Sequence, residues 1–217
     1  MNPPIVLRAA DLVAERPEGT ADDIHFTEAL AASIVGHASQ PGDLVLDPFA
    51  GYGTTVAVAE RMGRRAIGIE LLPAHLEIAR RRVGGVARLI LGDARKVSQL
   101  VDEPVDLVLT SPPYMSATDA ENPLAGYATD DGDYPAYLAE LGSIFGQVAM
   151  LLRPGGQLVV NVANVVAPDG TVTPLAGDMA QVIDQHVPLL GITTLQWDRP
   201  PAGLDGDYLL WFARPEA

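Results

Sequence analysis

The stretch "LDPFAGYGTT", Leu46 to Thr55, decides how this chain is read. It follows the apolar run Leu44-Val45-Leu46 and precedes the helix-like "VAVAERMG". A strand therefore hands over to a helix through an aspartate, two glycines one residue apart and two threonines. Gly51 and Gly53 allow a tight turn and a close backbone approach to a ligand, with no Cβ in the way. Thr54 or Thr55 is placed to cap the helix. No lysine follows, as a "GxxxxGK[ST]" phosphate cradle would require, and Val56 stands where G-x-G-x-x-G would have its third glycine.

Outward from this loop the chain alternates. A helix is expected from about Thr27 through "EALAASIVGHA", then the strand Leu44–Asp47, then a helix from about Thr54 to Gly63. "AIGIE" at Ala66–Glu70 is a strand, Pro73 opens "PAHLEIARRRV" as a helix, and "VARLILGD" and "VDLVLT" give the third and fourth strands. Residues 111–133 read as a long substrate-side loop. Tyr134, Tyr137, Leu138, Leu141, Ile144, Phe145, Val148, Leu151 and Leu152 then recur at helical spacing. A strand at Gln157–Val162, a helix near Leu175–His186 and two closing strands, about Leu189–Trp197 and Asp207–Ala213, complete the pattern.

Apolar strands alternating with helices specify an α/β fold, a doubly wound and mostly parallel sheet covered on both faces. Seven strands are expected, the short connection between the last two making one antiparallel in the edge region. The 217 residues suit a single domain, 1–217, with 1–23 as an N-terminal extension. No apolar run spans a bilayer, and the N-terminus lacks a cationic signal-peptide region. There is no cysteine, and the four histidines show no metal-ligand spacing, so no metal is expected. A cytoplasmic protein is the expectation.

In such sheets ligands sit beyond the carboxyl ends of the strands. Asp47, Glu70 and Asp93 fall at three successive strand ends. Glu70 is placed for ribose hydroxyls and Asp93 for an adenine amino group. A cofactor with adenosine and no pyrophosphate fits this set, and S-adenosylmethionine is such a cofactor.

"PGDLVLDPFAGYGTT…RMGRRAIGIELLPAHLEIARRRV" resembles the cofactor half of the DNA amino-methyltransferases, which modify cytosine N4 or adenine N6. The resemblance extends from about Ile24 to Ala213. It implies that Asp47, Phe49, Gly51, Gly53 and Thr54 surround the methionine part of the cofactor, with Glu70 at the ribose and Asp93 at the adenine. "HFTEAL" looks like the family's short motif leading the cofactor-side helix, which brings in His25 and Thr27. Ala50, Thr55 and Ala94 complete the implied cofactor-binding set. Tyr52 departs from the family's usual serine.

"TSPPY", following the fourth strand, reaches the same rim. An aromatic amine is a poor nucleophile because its lone pair is delocalised into the ring. Acceptors facing its N–H bonds favour tetrahedral geometry and free that lone pair. Pro112 and Pro113 have fixed φ and no N–H, so they aim carbonyl oxygens rigidly. Ser111 adds a hydroxyl, and Tyr114 offers a ring on which an extruded base can stack. Ser111, Pro112, Pro113 and Tyr114 are the candidate catalytic residues, and serine in first place resembles the cytosine-N4 branch.

Charge opposes a polyanionic partner, with 28 acids against 14 bases. Arg61–Arg65 and Arg80–Arg82 are expected at the far end of the sheet, at helix C-termini. The rim is expected to carry Asp119, Glu121, Asp130, Asp131, Asp133, Asp169, Asp198, Asp205 and Asp207 against Arg199. The expected substrate is a nucleic-acid base, with a partner protein supplying affinity and no membrane contact. Another amino group, on RNA, a small molecule or a peptide, is the alternative; a non-catalytic partner subunit is a third.

Overall fold

The apolar runs become strands because both of their faces are covered. All four residues of β2 (Leu44–Asp47) are buried, as are five of the six in β3 (Arg65–Glu70). The structure is a computed structural model and describes residues 5–18, 20, 27–126 and 133–216. His25, Asp130 and Asp131 lie outside the described residues.

Beyond β2 and β3, the strands are β1 (Ile5–Leu7), β4 (Arg88–Leu91), β5 (Val105–Thr110), β6 (Leu152–Val166), β7 (Val172–Thr173), β8 (Leu189–Trp197) and β9 (Leu204–Ala213). The helices are α1 (Ala9–Glu15), α2 (Glu28–Ala38), α3 (Thr54–Arg61), α4 (Pro73–Arg82), α5 (Val97–Leu100), α6 (Tyr134–Leu151) and α7 (Leu175–Asp184). Among the described residues the sheet has nine strands, in the order β1-β8-β9-β6-β5-β2-β3-β4, with β7 off this path on β6. The expectation of seven missed two short ones. Ile5–Leu7, inside the expected N-terminal extension, pairs parallel with Leu195–Trp197. Val172–Thr173 pairs antiparallel with β6.

The expected antiparallel strand is β9, which lies between β6 and β8 and opposes both. It is not the edge itself, because β1 continues the sheet beyond β8. On one face α5, α6 and α7 supply Val97, Tyr137, Leu141, Phe145, Met179 and Ile183 to a core under β5 and β6. On the other, α2 and α3 supply Leu30, Ile34, Val35, Val56 and Ala59. Strand order reverses where β2 meets β3 on one side and β5 on the other. That switch point opens a crevice at the carboxyl ends of the strands.

Candidate active site

A cavity of about 760 Å³ opens at the switch point. Its wall brings together Asp47, Phe49, Ala50, Gly51, Thr54, Thr55, Glu70, Asp93 and Ala94 from the sequence-derived cofactor set, and Ser111 and Pro113 from the S-P-P-Y loop. Thr27, Gly53, Pro112 and Tyr114 do not line it. Thr27 instead caps α2, accepting from the Leu30 amide at 3.2 Å.

Asp47 ends β2 and is buried. One oxygen, Oδ1, accepts from the Thr110 hydroxyl at 2.6 Å and the Phe49 amide at 3.1 Å. Burial pushes its pKa up to about 6, against the hydroxyls of Thr110 and Thr55 and the Phe49 N–H, while the charge of Glu70 adds to the rise. Glu70, at the end of β3, spans the turn: Oε2 accepts from the Gly51 amide at 2.8 Å and Oε1 from the Leu72 amide at 2.7 Å. Its carboxylate thus fixes the glycine loop, and each oxygen keeps lone-pair capacity for a ligand. His75 stands 3.7 Å from Glu70 Oε1 and meets the Tyr52 ring edge-on.

The two loop glycines have different work. Gly51 has φ +52°, and a Cβ there would meet no protein atom within 4 Å, so its face is open to the cavity. Gly53 has φ +81°, and a Cβ there would lie 2.9 Å from the Ala79 Cβ. The second glycine therefore admits α4 rather than a ligand. Gly53 itself is the N-cap of α3, so neither threonine caps that helix as expected. Thr54 Oγ1 accepts from Arg82 instead.

Asp93 caps the short 3-10 turn Ala94–Lys96 through the Arg95 amide and is gripped by the Arg95 guanidinium, with Nε 2.8 Å from Oδ2. Burial alone would raise its pKa, but the Arg95 side chain, the Arg95 amide and the charges of Arg95 and Lys96 hold it below the usual carboxylate value. Arg95 itself lines the cavity.

The S-P-P-Y loop continues β5. Ser111 Oγ and Tyr114 Oη lie 3.3 Å apart, and the phenol donates weakly to the Asn161 carbonyl at 3.5 Å. Burial, then the charge of Asp207, pushes the Tyr114 phenol far above its ordinary pKa, so it remains a neutral donor. Of the loop's carbonyls, that of Pro113 is already engaged by the Tyr137 hydroxyl at 2.8 Å. Ser111 keeps its hydroxyl at the cavity wall, while Pro112 is buried and off that wall.

Two charge placements need correction. Arg82 is not at the far end of the sheet: it donates to the Tyr52 carbonyl at 2.8 Å and pairs with Glu28 at 2.9 Å, bracing the glycine loop. Arg61 pairs with the same Glu28. Asp207 is not a rim charge but a buried group, held by Asn161 Nδ2 at 2.7 Å and Trp197 Nε1 at 2.8 Å. Sequence reasoning also missed Tyr137 and Asn161. The only signal for Tyr137 was a hydroxyl in an otherwise apolar helical stripe.

This architecture, with its carboxylates around a glycine loop, defines an S-adenosylmethionine-dependent methyltransferase fold. TrmN from Thermus thermophilus superposes with a TM-score of 0.65 at 20% identity, covering 87% of this chain and 49% of that one. A TehB-like SAM-dependent methyltransferase from Corynebacterium glutamicum gives 0.55 at 18% identity, covering 85% and 86%. In sequence, the DNA methylase family model for N6 and N4 methyltransferases matches residues 13–81. A type II methyltransferase, M2.DpnII of Streptococcus pneumoniae, is 48% identical over 56 residues, 26% of this chain and 21% of the relative. By these matches residues 13–81, the glycine-loop half of the sheet, are similar to the DNA amino-methyltransferases.

The 4-amino-L-phenylalanine/4-methylamino-L-phenylalanine methyltransferase of Streptomyces pristinaespiralis is 34% identical over 158 residues, 67% of this chain and 51% of the relative. The chain thus spans about half the length of this relative, and its match to M2.DpnII covers about a fifth of that one. The cofactor is S-adenosylmethionine. The residues present fit it: a cavity within the usual range for such ligands, an open glycine face and a carboxylate with spare lone pairs.

Proposed function

We propose that this chain is the catalytic domain of an N-methyltransferase that acts on the exocyclic amino group of an aromatic ring, first of all a DNA base extruded from its stack. One observation carries the reading: Ser111 and Pro113 of the S-P-P-Y loop line the same cavity as Asp47, Gly51 and Glu70. Bound S-adenosylmethionine supplies an electrophilic methyl group on a sulfonium. Asp47 and the open face of Gly51 receive its methionine part, Glu70 its ribose and Asp93 its adenine. The Ser111 hydroxyl accepts from an N–H bond of the amine and directs its lone pair toward the methyl group. Tyr137, by holding the Pro113 carbonyl, keeps the loop at one height above the sheet. Tyr114, which is off the cavity wall, backs Ser111 through its hydroxyl.

Affinity for duplex DNA comes from elsewhere, a partner or a further domain. Arg61 and Arg82 are paired with Glu28, Arg65 with Glu103, Arg95 with Asp93, and Arg153 with Asp106, which leaves few cations for phosphates. The same observation favours a second reading, a free aromatic amine as acceptor. That is the chemistry in the name of the Streptomyces relative.

The test is transfer of tritiated methyl from the cofactor to single-stranded DNA, tRNA and a panel of arylamines including 4-amino-L-phenylalanine. Label on a base amino group supports the first reading, and label on a free arylamine the second. No transfer to any of them, with the cofactor bound, contradicts both.

A further inference from the structure

Asp207 is a buried carboxylate, 4% exposed, whose side-chain partners are both neutral: the Asn161 amide and the Trp197 indole. Among the described residues no ion pair compensates it. Buried carboxylates are ordinarily paired with cations, because an uncompensated charge in a low-dielectric interior is costly. Asn161 beside it is fully buried, and its Nδ2 also donates to the Tyr208 carbonyl at 3.2 Å. Those two acceptors fix the amide's orientation and leave its Oδ1 buried without a hydrogen-bond partner. A buried carboxylate that is hydrogen-bonded but has no cation, and an orphan amide oxygen, thus lie side by side at this point in the fold. From here a short path leads to the cavity. The Asn161 main-chain oxygen receives the Tyr114 hydroxyl, that hydroxyl meets Ser111, and Ser111 lines the cavity wall.

We propose that Asp207 is a positioning residue for the transfer step, supplying from behind the S-P-P-Y loop the negative charge that Ser111 lacks. The inference rests on the methyl-transfer reading above. In that step the nitrogen lone pair forms the new bond to carbon, and the carbon–sulfur pair leaves with sulfur. Positive charge therefore moves from the sulfur to the nitrogen, which afterwards releases a proton to solvent. A fixed carboxylate joined to the S-P-P-Y loop through Asn161 and Tyr114 favours this movement, and a group placed in advance does so without reorganisation. Burial pushes the Asp207 carboxyl up to about 6, against the donors Trp197, Asn161 and the Tyr208 amide, so it is ionised at neutral pH. A purely structural role, tying β9 to β6 and β8, would need only the hydrogen bonds. Asparagine would keep one of the two acceptors and turn its NH2 toward the other donor, so its effect on stability is measured separately from its effect on binding.

The test separates charge from shape. Asp207→Asn is compared with wild type for binding of S-adenosylhomocysteine, which is neutral at sulfur, and of sinefungin, whose amine is cationic where the transferable methyl would be. Single-turnover methylation is measured beside them. We expect S-adenosylhomocysteine affinity within about twofold, and sinefungin affinity and methyl transfer each reduced about tenfold, in a variant whose folding is checked by its melting curve. Should the asparagine variant not fold, Asp207→Ser makes the same comparison. An unchanged sinefungin-to-homocysteine ratio in a folded uncharged variant overturns the proposal. The binding ratio decides this inference even if wild type methylates none of the acceptors, an outcome that counts against the methyl-transfer reading instead.

Discussion

Asp47→Asn should flatten the acid side of the protein's stability curve. A carboxyl raised from 3.8 to about 6 binds a proton more readily folded than unfolded. Its contribution is fully present below the unfolded value and is lost as pH rises through the folded one. At about 1.4 kcal/mol per pH unit, a gap of roughly two units corresponds to about 3 kcal/mol between pH 4 and pH 7. The cause is burial, which the Thr110 hydroxyl and Phe49 amide offset only in part. Urea unfolding of wild type and variant at intervals from pH 4 to pH 8 would measure it. The difference between their free energies isolates Asp47, because the other carboxylates are common to both. We expect the variant to gain about 3 kcal/mol relative to wild type between pH 4 and pH 7, whatever its absolute stability. Parallel curves would show that Asp47 is not an uncompensated buried acid, and the account of the β2 terminus would fail.

Three further outcomes follow from named contacts. Gly53→Ala forces a left-handed φ on a residue with a Cβ and drives that atom into Ala79, so unfolding free energy should fall by about 2 kcal/mol or more. Unchanged denaturation would refute the packing argument. Glu70→Gln retains an acceptor for one loop amide but turns an NH2 toward the other, so calorimetry should show cofactor affinity reduced by roughly 1–3 kcal/mol. Tyr137→Phe releases the Pro113 carbonyl, and kcat should fall several-fold, within about a tenfold limit, while cofactor affinity stays constant. Equal losses in both would mean that the hydroxyl supports the fold rather than the loop.

Much of this fold was legible because the chain separates its signals. Leu44–Asp47, Ala66–Glu70 and Val105–Thr110 are apolar runs ended by polar residues, and all three end at one rim, where Asp47, Glu70 and Ser111 share one cavity. Local pattern says little about pairings made far along the chain. Ile5–Leu7 is too short to show an alternation, and becomes a strand only because Leu195–Trp197 receives it. Arg82 was assigned to a helix end by dipole reasoning, whereas its long side chain returns to the Tyr52 carbonyl. Asp207, in "LDGDY", reads as one more acid in a polar loop. Its burial follows from β9 entering the sheet beside β6, which sets it against Asn161. The division of labour between Gly51 and Gly53 was equally invisible, since it depends on how closely α4 approaches.

The most direct test of the central claim is the identity of the methylated atom. With 13C-methyl-labelled cofactor and an acceptor that turns over, NMR of the product distinguishes N-methyl from C-methyl and O-methyl. A loop that presents the Ser111 hydroxyl to an N–H bond of an aromatic amine predicts label on an exocyclic nitrogen and a slower reaction in Ser111→Ala. Label on a ring carbon or a hydroxyl oxygen would contradict it, as would an N-methyl product formed at the wild-type rate by Pro112→Ala and Tyr114→Ala alike.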